Sequence, residues 1–116
     1  MRGKRLPIEH CISGTRGFEV EKDLDNVNDI HINKYTFGFA HWENAFRKYG
    51  LNEIEEIEIC GLCTDICVVS NALILRAYYP WIPITVDASC CAGTTPEKHK
   101  AALDVMESCQ IDVINR

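Results

Sequence analysis

Cys67 lies within Glu58-Ile59-Cys60-Gly61-Leu62-Cys63-Thr64-Asp65-Ile66-Cys67-Val68-Val69, where an apolar strand pattern gives way to a helical one. Ile54, Ile57 and Ile59 stand among glutamates up to Cys60, and Gly61 tolerates a tight backbone turn. Asp65 can serve as N-cap of a helix in which Val68, Val69, Ala72, Leu73 and Ala77 recur at helical spacing. A cysteine in the first turn of such a helix lies at the positive end of the helix dipole, where the thiolate is favoured over the thiol. That is the chemistry of a nucleophile. The competing reading is a small buried hydrophobe, since cysteine is among the most buried residue types.

The elements that must position Cys67 follow from periodicity. The pattern predicts strands over 54–60, 82–88 and 111–114 and helices over 65–78 and 95–108. A further helix is predicted over 40–49, with Trp42, Ala45, Phe46 and Tyr49 on one side and Gly50 as its stop. Upstream, residues 1–17 read as irregular, 18–24 as a short helix and 29–34 as a short strand. Alternating strands and helices imply parallel β-α-β units, and right-handed crossovers put helices 65–78 and 95–108 on one face of the sheet. In the last helix Thr95 is the expected N-cap with Pro96 behind it. Ala101, Ala102, Val105 and Met106 should face the sheet, leaving Lys98, His99 and Lys100 outside with His99 as a surface histidine.

The 116 residues fit one domain, and a hydrophobic fraction of 47% is enough for a globular core. No apolar run is long enough to span a bilayer, and the basic cluster at residues 2–5 is not followed by a secretory apolar segment, so the cytoplasm is the expected location. A net charge of −5 argues against a nucleic-acid surface. The seven cysteines are odd in number and do not space like a secreted disulfide framework. Cys60-x-x-Cys63 has zinc-ligand spacing, but no second pair completes a site. The cysteines are read as reduced core thiols, with reactivity confined to Cys67.

The string Gly61 to Val68 resembles the nucleophile turn of the isochorismatase-like cysteine hydrolases, the group that includes nicotinamidases, whose pattern approximates G-hydrophobic-small-T-D-x-C-V. Residues 32–39 are similar to the family segment with its catalytic lysine, which implies that role for Lys34. Residues 83–92 are similar to the next strand. The stretch Pro7 to Thr15 resembles the part of nicotinamidases that carries a metal-binding histidine, implying His10; here two residues rather than one separate Pro7 from His10. Nearly the whole chain is covered.

The resemblance implies an α/β fold, three-layer and Rossmann-like with a parallel sheet, occupying 1–116 as a single partial domain. It also implies the absence of the family's N-terminal β-α-β unit, a piece of about 30 residues or more, which carries the activating aspartate and an Asp-x-His pair. In a complete member the aspartate takes the Cys67 proton and Lys34 assists. The thiolate then attacks a small amide to give a thioester, with backbone N–H groups of Cys63 and Cys67 holding the oxyanion and the Leu62–Cys63 peptide cis. Tyr35 and Phe37 would line the substrate pocket, and a zinc-like divalent metal would bind near His10. Cys67 and Lys34 are expected together at the carboxyl edge of the sheet. Without the aspartate, activity should be impaired; Asp65 and Asp87 read better as a helix cap and a strand-end residue. The alternative is a non-catalytic remnant serving as an assembly module. In either case the missing unit exposes one edge of strand 54–60, and a homodimer or larger assembly is expected.

Overall fold

The computed structural model describes residues 10–26 and 29–116, and the chain divides into two units, one ending at Tyr35 and one running Thr36–Arg116. The basic cluster at 2–5 and residues 7–9 of the histidine stretch lie outside the described residues.

The first unit is built from turns. Thr15 N–H donates to the Ile12 carbonyl at 3.0 Å, Arg16–Phe18 forms a 3-10 turn, and Leu24 N–H closes on Glu21 at 2.9 Å. His31 Nε2 lies 3.3 Å from Asp25 Oδ1. Neither the helix expected over 18–24 nor the strand expected over 29–34 forms. The first has no apolar stripe to bury, as Val20 and Leu24 are exposed, and so short a helix does not hold in water on propensity alone. The second has no ladder partner among the described residues, and a lone strand leaves its N–H and C=O groups to water.

In the second unit, helix α1 spans Trp42–Lys48, strand β1 Ile57–Leu62, a π-helical turn Thr64–Val68, helix α2 Val69–Tyr78, strand β2 Ile84–Ala92, helix α3 Pro96–Ser108 and strand β3 Asp112–Ile114. The sheet has the order β1-β2-β3 and is parallel throughout, with Ile57 opposite Ile84, Ile59 opposite Val86, and Val86 opposite Val113. Strand β1 starts later than the sequence suggests because the step from Ile54 to Ile57 breaks the two-residue alternation, which holds only from Ile57 onward. It also runs past Cys60, since Gly61 and Leu62 pair with Cys91 and Ala92. Between those pairings the register jumps, and β2 accommodates the extra residues at 87–90. Asp87 fastens this bulge: its Oδ1 accepts from Ser89 N–H at 3.0 Å and Ser89 Oγ at 2.6 Å. Gly61, on the other side of the jump, has φ of +126°, a region open to glycine at little cost.

Ile84, Val86 and Ala88 point to one face of the sheet, where Val68, Ala72 and Leu75 of the helix after β1 and Ala102, Leu103 and Met106 of α3 complete the buried core with Ile111. Helices α2 and α3 touch each other as well as β2, in keeping with right-handed crossovers onto one face. The alternate residues Glu58, Thr85 and Asp112 belong to the opposite face. Trp42 and Phe46 of α1 pack on the core, with Phe46 6.1 Å from the Tyr79 ring. Four inward assignments change. Leu103 replaces Ala101 and Val105 in the core, Ala77 is exposed, and Tyr49 at the end of α1 is exposed. In each helix the buried stripe narrows to the rows that meet a neighbouring element.

Candidate active site

Strand β1 delivers the chain to the carboxyl edge of the sheet, and the next peptide, Leu62–Cys63, is cis, as the resemblance implies. The chain then enters the π-helical turn: the Cys63 carbonyl accepts from Ile66 N–H at 3.0 Å and from Val68 N–H at 3.1 Å, the latter an i to i+5 bond. Cys67 sits in this turn, half-buried, before α2 begins.

Two sets of long-range contacts hold the turn. On one side is the loop that follows β2. Thr64 is wholly buried, and its Oγ1 is 2.7 Å from His99 Nδ1. Asp65 reaches the same loop through both carboxylate oxygens, accepting from Thr94 N–H at 2.8 Å and Thr94 Oγ1 at 2.6 Å. Gly93 lies so close to α3 that a Cβ there would stand 2.8 Å from His99 Cβ and 2.9 Å from its backbone. On the other side is Asn71 of α2. It bonds to the Cys67 carbonyl at 2.9 Å, the Phe37 carbonyl at 3.1 Å and the Phe39 N–H at 2.8 Å.

These contacts correct several expectations. Asp65 is not the helix cap: Cys63 occupies that position, and the Asp65 carboxylate is spent on Thr94. Partial burial of that carboxyl works against ionisation, but the Thr94 side-chain and backbone donors outweigh it and hold the group below the usual carboxylate range. His99 is not a surface histidine; it is half-buried and bonded to Thr64. Thr95 does cap α3 as expected, accepting from Lys98 N–H at 3.1 Å with Pro96 at the first helical position. All seven cysteines are thiols, yet Cys11, Cys60, Cys90 and Cys109 are exposed, so they are not a set of core thiols. Burial, reinforced by the Asp65 and Cys67 charges, pushes the Cys63 thiol up, and burial first of all does the same to Cys91.

Of the residues singled out in the sequence, Cys63, Cys67 and the half-buried Phe37 belong to the unit Thr36–Arg116. His10, Lys34 and Tyr35 belong to the other unit, where all three are exposed. No three His, Cys, Asp or Glu side chains among the described residues converge as a metal site, so the described residues do not by themselves fit the implied divalent ion. No helix among them is long and apolar enough to cross a membrane. Sequence reasoning missed Thr64, Asn71, Thr94 and His99. Asn71 alone carried a signal, a polar residue inside an otherwise apolar helical stripe.

A family model described as the isochorismatase domain matches residues 1–116. No curated protein matches the chain. Among solved structures, a nicotinamidase/pyrazinamidase from Bacillus subtilis is 30% identical with a TM-score of 0.73, the match covering 91% of this chain and 62% of that one. An isochorismatase-like hydrolase from Alkaliphilus metalliredigens, 23% identical with a TM-score of 0.72, matches over 92% of this chain and 57% of its own. A pyrazinamidase of Pyrococcus horikoshii in complex with zinc, 24% identical with a TM-score of 0.69, matches over 93% and 62%. The latter two likenesses establish the fold alone. The chain thus spans about three fifths of the length of these solved structures.

Proposed function

Starting from a chain that belongs to the isochorismatase domain family, we propose that it is a nicotinamidase-like amidohydrolase of the cytoplasm in which Cys67 is the nucleophile toward a small amide. The observation that carries the reading is the turn at the carboxyl edge of the sheet that holds Cys67 half-buried. The thiolate forms a bond to the amide carbonyl carbon, the C–N bond breaks with a proton passing to the departing nitrogen, and water then hydrolyses the thioester to release the acid and restore the thiol. Backbone N–H groups of Cys63 and Cys67 are assigned to the oxyanion, Lys34 to charge assistance, and Tyr35 and Phe37 to the pocket wall. Residues 1–116 are read as one partial domain of this kind.

Asp65 is engaged by Thr94 and Asp87 by Ser89, so neither acid of this neighbourhood is aimed as a general base. Low activity of the 116-residue chain on its own is therefore part of the proposal. Mass spectrometry after brief exposure to iodoacetamide near neutral pH should find Cys67 labelled ahead of the other six cysteines, including the more exposed Cys109, and Cys67→Ser should remove that fast phase. Uniform labelling would sink the reading.

A second reading, an assembly module without catalysis, is favoured by β1, which has no strand on its outer side among the described residues. A thioester adduct on Cys67 after incubation with nicotinamide and acid quench would count against it.

A further inference from the structure

Thr64 and Asn71 are the buried polar residues of the described structure, and the Asn71 amide is saturated. Its Oδ1 accepts from Phe39 N–H at 2.8 Å and from Trp42 Nε1–H at 3.1 Å, while its Nδ2 donates to the Phe37 carbonyl at 3.1 Å and the Cys67 carbonyl at 2.9 Å. Two donor hydrogens and two acceptor lone pairs are all that a carboxamide has. Nothing local accounts for it, because asparagine is a poor helix former and Asn71 lies in the third position of α2. Its partners in 37–42 are about thirty residues distant in the chain, at separations of 32, 29 and 34. One side chain therefore joins two pieces of backbone: the segment that carries Phe37 and the turn that carries Cys67. A fully satisfied buried amide also fixes geometry more sharply than apolar packing does, since every displacement leaves a donor or acceptor unpaired.

We infer that Asn71 is a positioning residue of the Cys67 site, holding the Phe37 backbone against the nucleophile turn and so setting the wall that a ring-bearing amide meets on approach to the sulfur. The inference rests on the reading of Cys67 as the nucleophile. Asn71 itself touches no reacting atom; it acts through Phe37 and through the Cys67 peptide.

The test compares two electrophiles on the 116-residue chain, iodoacetamide and its N-benzyl derivative, by following Cys67 alkylation with peptide mass spectrometry and taking the ratio of the two rates. Exposed Cys109 in the same molecule gives the ratio for an unwalled thiol. In the wild type the Cys67 ratio should differ from that of Cys109, and Asn71→Ala should move it about fivefold toward the Cys109 value, the effect of losing roughly one buried hydrogen bond's worth of organisation. Hydrogen exchange at the Phe39 amide should quicken in the same variant. A merely structural role would speed that exchange and leave the ratio in place, which would overturn the inference.

Should Asn71→Ala fail to fold, Asn71→Thr decides. Its hydroxyl can still bond the Cys67 carbonyl four residues back but cannot reach 37–42. It should shift the ratio as the alanine does, and an unchanged ratio overturns the inference. Wild-type Cys67 reacting no faster than Cys109 would sink the nucleophile reading together with this one. A selectively reactive Cys67 whose ratio is indifferent to Asn71 would sink this one alone.

Discussion

Asp65 shows how an acid two residues from Cys67 can be tied up rather than available. Its carboxylate accepts two bonds from Thr94 and is held below the usual carboxylate range, so its folded pKa lies under the unfolded value of about 3.9. The linked stability is fully present above the unfolded pKa and is lost as pH falls through the lower folded one. Thr94→Val removes the hydroxyl donor and keeps the N–H. Urea midpoints should therefore separate wild type from variant at neutral pH and converge as the solution is taken below about pH 4; curves that stay parallel into acid would mean that the Asp65 bond contributes no stability. A carbon-detected titration of the Asp65 carboxyl should move up in the variant.

At the scale of elements, the approach of β2 to α3 is made possible by Gly93. A Cβ at that position would meet His99 backbone and Cβ at 2.8–2.9 Å, and helix backbone cannot yield as a side-chain tip can. Gly93→Ala should cost about 1–3 kcal/mol by overpacking and loosen the Thr64–His99 bond beside the turn that carries Cys67. A thermal midpoint equal to wild type would show that the loop shifts freely. The cap of the same helix is a smaller contributor: Thr95→Ala removes the acceptor of Lys98 N–H and should cost about 1 kcal/mol in denaturant unfolding. A loss near the Gly93→Ala value would show that Thr95 also supports the loop.

For the molecule as a whole, β1 is an edge strand of the sheet among the described residues. Ile57 N–H donates to Pro83 across to β2, so by alternation Glu58 turns its N–H to the outer side, where no strand lies among the described residues. Leu62, 68% exposed at the end of β1, adds apolar surface to that edge. The 116-residue chain should accordingly run in light scattering as a dimer or larger. Glu58→Pro should shift it toward monomer, because proline removes the outward donor without touching the ladder to β2. A monomeric wild type, or an assembly indifferent to Glu58→Pro, would refute edge pairing.

Local pattern sufficed for much of this protein. Alternation of Ile57 and Ile59, the glycine at 61, the Thr95-Pro96 start of α3 and the string from Gly61 to Val68 each depend on neighbours within a few residues, so the strands and helices of the second unit, their parallel order and the turn that carries Cys67 were legible in the sequence. Ends of elements were less so: β1 and β2 both extend past their apolar patterns because each supplies the other's ladder partners, Leu62 with Ala92. Partners far apart in the chain were not legible at all. Thr64 meets His99 across 35 residues, Asp65 meets Thr94 across 29, and Asn71 meets Phe39 across 32. A side chain's local pattern states whether it is polar, but which distant group will satisfy it is decided only when the sheet and helices bring the two within hydrogen-bonding reach.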